Sequence, residues 1–170
     1  MQLKLLCFIS LVASTLAADD YIVTSLNGIS QSVRGVDKGL INWKGDYTGI
    51  LRLIEQSRGV VTAVVAVVAP RTYNPPTDDI LQMRQNASQS LAADVDVAIN
   101  SGIAAKPKVD KLIIPIKPAI LVVLKSSQAG FSALSKIYLA DVPAEKKNAS
   151  QAFFNKINDS LENCYKAYQS

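Results

Sequence analysis

Ile22, Leu26, Ile29, Val33, Val36, Leu40 and Trp43 recur at spacings of 4, 3, 4, 3, 4 and 3. A strand alternates its faces every residue and cannot gather these side chains on one side, whereas a helix places all seven on one seam. The stretch therefore predicts a helix of about 22 residues, or ~33 Å. Such a helix is held in water by burying its seam against other helices. Gly28, Gly35 and Gly39 interrupt it, each costing ~1 kcal/mol against alanine. Close approach of a neighbouring helix is the expected reason.

The same periodicity returns along the rest of the chain. A second helix is predicted from about Thr48 to Ala69, after the turn Lys44-Gly-Asp-Tyr47 and before Pro70. Thr77 is a good N-cap for a third, with Asp78 and Asp79 complementing the helix dipole. That helix carries Ile80, Met83, Ala87, Leu91, Val95 and Ala98 and is expected to stop near Ala105, before Pro107. A fourth follows from Pro118 with Ile120, Leu124, Ser127, Phe131, Leu134 and Tyr138 on one seam. A fifth runs from Ala144 to about Tyr168. Short connections between long helices favour antiparallel neighbours. The fold class is all-α: a single-domain up-and-down bundle of about five long helices, without disulfides.

Within the second helix, Val60 to Ala69 reads Val-Val-Thr-Ala-Val-Val-Ala-Val-Val-Ala and has no polar face. An amphipathic helix keeps one side wet. This half must instead be buried, line a cavity or touch something apolar. Valine also suits a buried strand, but the helical phase continues unbroken from Ile50 and no partner strand exists elsewhere. Pro70 prevents extension into a membrane span.

The N-terminus has the form of a secretory signal peptide: Lys4, an apolar run from Leu5 to Val12, and small residues around Thr15-Leu-Ala17. Residues 1–17 are expected to be removed, leaving 18–170 as one helical domain that is secreted and extracellular, with no transmembrane anchor. Removal takes Cys7 and leaves Cys164 alone, so the mature chain has no disulfide to form. Cys164 lies on the apolar face of the last helix and reads as a buried thiol. The mature chain keeps 17 basic and 14 acidic residues. These are scattered, which argues against nucleic acid as a partner. Three sequons, at Asn86, Asn148 and Asn158, are candidate N-glycosylation sites.

Chemistry is sparse. The chain has no histidine, the commonest general base and metal ligand. Asp94 and Asp96 are two apart on a helix and face different ways. No phosphate-binding glycine loop, nucleophile elbow or acidic cluster is present, so no metal and no cofactor are expected, and no enzymatic activity. The composition is 49% hydrophobic with only 6% aromatic residues. Aliphatic walls of this kind suit a flexible acyl chain. Burying ten methylenes at ~0.8 kcal/mol each gives roughly 8 kcal/mol gross, or micromolar binding after ordering costs. Candidate wall residues are Val61, Val64, Val65 and Val68 on the second helix, facing Leu121, Leu124, Phe131 and Leu134 on the fourth. Ser57, Thr62, Ser127 and Gln128 are candidates to contact a carboxylate.

The order of these features resembles the fungal hydrophobic surface-binding protein A family, which includes cell-wall galactomannoproteins. The resemblance runs from about Asp20 to Tyr168. It rests on the first heptad helix ending in Leu40-Ile-Asn-Trp-Lys-Gly45, the aliphatic second helix, the connection Ala104-Ala-Lys-Pro-Lys108, and the helix Ile120 to Tyr138 leading to Asp141-Val-Pro143. It implies a secreted, non-enzymatic helical bundle that adsorbs to hydrophobic surfaces or encloses fatty acids between its helices. It also implies association with cell-wall polysaccharide through glycans; a structural or antigenic wall mannoprotein with no specific ligand is the alternative reading. The chain departs from wall-anchored members by ending Lys166-Ala-Tyr-Gln-Ser170, without a Ser/Thr-rich tail or lipid-anchor signal. A freely secreted protein is therefore expected. The Pro115 and Pro118 pair before the fourth helix is also unlike the family.

Overall fold

A computed structural model describes residues 20–68 and 76–169. Five helices make up almost all of them: α1 Tyr21–Asn42, α2 Tyr47–Val67, α3 Asp78–Val109, α4 Lys117–Ala140 and α5 Ala144–Gln169. The expected signal peptide, Pro70 and most of the loop after it lie outside the described residues.

Four of the five N-termini have a local cause. Asp20 caps α1 by accepting from the Val23 N–H, Asp46 caps α2 through the Gly49 N–H, and Thr77 caps α3 through the Ile80 N–H. Helix α4 has no side-chain cap but carries a proline in its first turn, where the missing N–H would be unpaired anyway. The α1–α2 turn passes through Gly45, whose φ of +87° is in the left-handed region that glycine tolerates.

Pro107 does not end α3, which continues to Val109. So close to the C-terminus the ring removes only one helical hydrogen bond. The ladder closes over it with the Asp110 N–H on the Lys106 carbonyl at 2.9 Å. The glycines of α1 also differ from expectation. A Cβ on Gly28 or Gly35 would meet nothing within 4 Å, and only Gly39 marks a close approach, against Leu53.

The helices form a closed ring. Helix α1 packs on α2 and α3, α3 on α5, α5 on α4, and α4 on α2. Polar contacts between the helices fix their directions. Asp20 meets Arg84, Ser30 meets Asp94, and Asp37 meets Ser101, always 64 residues apart, so α1 and α3 run parallel. Ser160 on Asp96 and Tyr168 on Gly102 make α5 parallel to α3. Gln128 on Glu162 and the Tyr138–Phe154 ring pair make α4 antiparallel to α5. The chain thus runs up and down as expected. Ring order is not chain order, however: α3 sits beside α1 and α5, away from α2 and α4 as principal partners. Three parallel helices are backed by two that run oppositely.

Helix α3 is bolted on both sides. Asp94 accepts from Ser30 and from Arg34 Nε on α1, at 2.8 Å for the arginine. Two residues on, Asp96 accepts from Ser160 Oγ on α5 at 2.8 Å. A two-residue step turns 200° around a helix axis, so adjacent acids serve opposite neighbours. At the end of the bundle near the α1 N-terminus, the Arg84 guanidinium is 2% exposed. It donates to both Asp20 oxygens at 3.0 and 2.8 Å and to Asp141 at 3.4 Å. This ties the start of α1 and the end of α4 to α3.

Removing one partner of such a pair leaves uncompensated buried charge. Arg84→Ala should therefore lower stability by about 3 kcal/mol in urea unfolding. Burial pushes the Asp20 carboxyl up, but Arg84 and the Val23 and Ile22 N–H groups outweigh this and hold it below the ordinary value. Its contribution is then complete above the unfolded pKa of about 3.9 and is lost as pH falls through the lower folded value. Acid unfolding followed by circular dichroism should be steeper in this window for the wild type than for Asp20→Asn.

Candidate functional site: an apolar cavity along the bundle axis

Five helices around an axis leave more central space than four. Evenly spaced neighbours about 10 Å apart put each axis roughly 8.5 Å from the centre, against roughly 7 Å for four. Side chains reach about 5 Å from a helix axis, so a channel of roughly 3.5 Å radius remains unless large residues fill it.

In this protein one half of the channel is filled and the other is not. Near the α1 N-terminus the centre is packed by Leu26, Ile29, Leu91, Leu134, Tyr138, Phe154 and Ile157, all at most 2% exposed. Tyr138 and Phe154 meet in a tilted ring pair with centroids 5.3 Å apart. Toward the α1 C-terminus the inward positions shrink: Val33 and Val36 on α1, Ser57 on α2, Ala98 and Gly102 on α3, Val123 and Ser127 on α4, and Cys164 on α5. The result is a cavity of about 140 Å³ lined by all five helices. Along α4 it extends from Ile120 to Phe131, or ~16 Å at the helical rise.

The lining is almost entirely apolar, and its few polar groups are already bonded. Ser57 Oγ donates to the Leu53 carbonyl at 2.8 Å, Ser127 Oγ to the Val123 carbonyl at 2.9 Å, and Tyr168 OH to the Gly102 carbonyl at 2.8 Å. The volume is roughly ten times what one water needs, yet a buried water also needs two or more free polar partners. These walls offer dispersion contacts to apolar groups and little to water. No charged side chain is among the lining residues. Among the described residues, no group of three or more Cys, Asp or Glu side chains is placed to hold a metal ion, and no helix is long and apolar enough to cross a membrane.

Among the predicted site residues, Leu124, Phe131, Ser57 and Ser127 come together on the cavity wall. The valine run lies beyond it, with Val60 as its one lining member. Val64 is buried in the solid half, against Gly130, and Leu134 is buried there too. Val61, Val68 and Leu121 are half-buried outside the lining, and Val65 is 55% exposed. These positions correct the expected wall: a helix segment without a polar face does not reveal which side faces the axis. Thr62 is exposed and donates to the Arg58 carbonyl. Gln128 reaches Glu162 between α4 and α5 at 3.0 Å. Neither enters the cavity. Asn86 and Asn148 are exposed. Asn158 is half-buried, its Oδ1 is buried without a partner, and Ser160 of the same sequon is bonded to Asp96.

Sequence reasoning missed the contributions of α1, α3 and α5. The clearest signal for them was a fall in side-chain size on α3, from Leu91 to Ala98 and Gly102.

No protein-family model matches the chain, and no curated protein matches it in sequence. Solved structures do match it in fold. AfMP4p in complex with palmitic acid superimposes with a TM-score of 0.75 at 17% identity, covering 86% of this chain and 97% of that one. Ligand binding domain 1 of Penicillium marneffei MP1 protein, complexed with arachidonic acids, gives 0.76 at 14% identity, covering 85% and 94%. Ligand binding domain 2 of the same protein, with multiple arachidonic acids, gives 0.77 at 16% identity, covering 88% and 96%. The chain has the fold of these fungal ligand-binding domains.

Cys164 reports on the cavity. Burial pushes its thiol up to about 11, so at pH 8 it is protonated as well as enclosed. Ellman's reagent should therefore modify it only at the rate of opening, at least a hundredfold slower than in urea. Immediate stoichiometric reaction of the folded protein would place the thiol in solvent.

Proposed function

We propose that this protein is a non-enzymatic carrier of fatty-acid-type lipids, holding the acyl chain along the bundle axis between Phe131 and Ile120. The observation that carries this reading is the half-empty ring: small residues from all five helices leave an elongated apolar cavity whose hydroxyls are all committed to helix carbonyls. The names of its structural neighbours, complexes with palmitic and arachidonic acids, support the same ligand class. Cavity length and aliphatic walls favour a flexible chain over a flat ring, and the fit is by shape and desolvation. Ser57 and Ser127 could turn their hydroxyls toward a carboxylate only by giving up a helix carbonyl. The carboxylate is therefore expected outside the apolar lining, toward solvent, and affinity should come mainly from the chain.

Secretion, through cleavage of residues 1–17, belongs to this proposal, as does adsorption to hydrophobic surfaces. Secretion rests on the signal-peptide pattern of residues 1–17, and adsorption on the resemblance to the hydrophobic surface-binding protein A and galactomannoprotein family. Exposed Asn86 and Asn148 are suited to carry glycans that would meet wall polysaccharide; half-buried Asn158 is not.

Native mass spectrometry of the purified protein, with lipid extraction, tests the reading. A fatty acid should co-purify or exchange in, with micromolar dissociation constants. Ala98 points into the cavity from the middle of α3, so Ala98→Phe should fill it, lower palmitate affinity by at least tenfold, and leave the helical circular dichroism intact. Absence of any bound or exchangeable fatty acid in the wild type overturns the proposal.

A further inference from the structure

The apolar surface of the molecule is unevenly distributed. Of the eight large hydrophobic residues exposed among those described, six lie at the cavity end of the bundle: Ile41, Tyr47, Leu51, Ile113, Ile114 and Val122. The extreme case is the α3–α4 connection. Ile113 is 100% exposed and Ile114 50% exposed, followed by exposed Pro115. On either side of them Leu112 and Ile116 turn inward onto the core. The loop is anchored by apolar side chains and still presents two isoleucines outward.

Charge surrounds this tip. The segment Lys106 to Lys117 carries Lys106, Lys108, Lys111 and Lys117 against the single acid Asp110. Asp110 bridges Lys106 and Lys117, each at 3.0 Å, and so fixes both beside the tip. Lys108 donates to the Trp43 carbonyl at 2.8 Å. Lys111 is exposed and forms no ion pair among the described residues. An apolar tip ringed by net positive charge is complementary to the surface of an anionic bilayer, where lysines are drawn to headgroups and aliphatic side chains enter the acyl boundary.

We propose that the Lys106–Lys117 segment docks the protein on anionic membranes, with Ile113 and Ile114 inserting. Docking here sets the cavity end against the lipid: Ile120 at the cavity's lower limit is one helical turn from Ile116. Trp43, Ala105, Val109 and Ile116 are buried at that end. The surface needs no bound lipid to act. Its link to cargo transfer rests on the carrier reading above, whereas docking itself is tested independently.

The purified protein should co-sediment with phosphatidylcholine vesicles containing phosphatidylserine, and not with phosphatidylcholine alone. Binding should weaken as salt rises. Ile113→Ser with Ile114→Ser should lower apparent vesicle affinity by about tenfold or more, and Lys111→Gln by about fivefold. Ile113 makes no core contact, so thermal melts of these variants should match the wild type. Tryptophan at position 113 (Ile113→Trp) should shift its emission to the blue with anionic vesicles. Fatty-acid binding without vesicles should be unchanged in all of them, which separates failure of docking from failure of the carrier reading. No binding to anionic vesicles overturns the proposal. So does binding that survives the double serine variant, or a dimer in sedimentation equilibrium that the same variant dissolves.

Discussion

Ring closure by five helices is the constraint on which the rest depends. Each helix has two neighbours and turns a third side toward a common axis, so the space at that axis is set by how large the third-side residues are. With Leu91, Tyr138 and Phe154 the axis is solid; with Ala98, Gly102 and Ser127 it is hollow. The cavity thus needs no special loop or lid. It follows from a change of side-chain size at one height, repeated on several helices at once.

A hollow half forfeits dispersion contacts that a filled core would provide, and the structure offsets this with polar bolts between its parallel helices. Asp94 and Asp96 hold α3 to α1 and α5, while Ser101 and Tyr168 add bonds beside the cavity itself. Arg84, buried and shared between Asp20 and Asp141, fastens the solid end. The two ends of the bundle therefore differ in kind. One is densely packed and ion-paired; the other is hollow and bears the exposed isoleucines of the α3–α4 connection.

Fold similarity at 14–17% identity is understandable on these terms. A helical seam asks only for aliphatic residues at the right phase and total volume, and many sequences satisfy that. What cannot drift freely is where the small residues fall, because that determines whether a cavity remains. Shared architecture alone does not carry a ligand across. The functional reading here rests on this chain's own lining.

The sequence by itself determined the helices: the 4-3 spacing from Ile22 to Trp43, the cap Thr77, and the seam through Leu124, Phe131 and Tyr138 all point to helical packing. It also identified an aliphatic interior, and it placed Ser57, Ser127, Leu124 and Phe131 among the candidates that do meet in one cavity. Periodicity gives a helix its phase, but it carries no information on which helices become neighbours or at what height they meet. Only the tertiary structure decided that α3 sits between α1 and α5. It also decided that the hollow lies below the valine run, and that Ala98, Gly102 and Cys164 frame it. The valine run misled for a specific reason. With apolar residues on every side, it could not say which of them faced the axis, and the answer came from the helices packed around it.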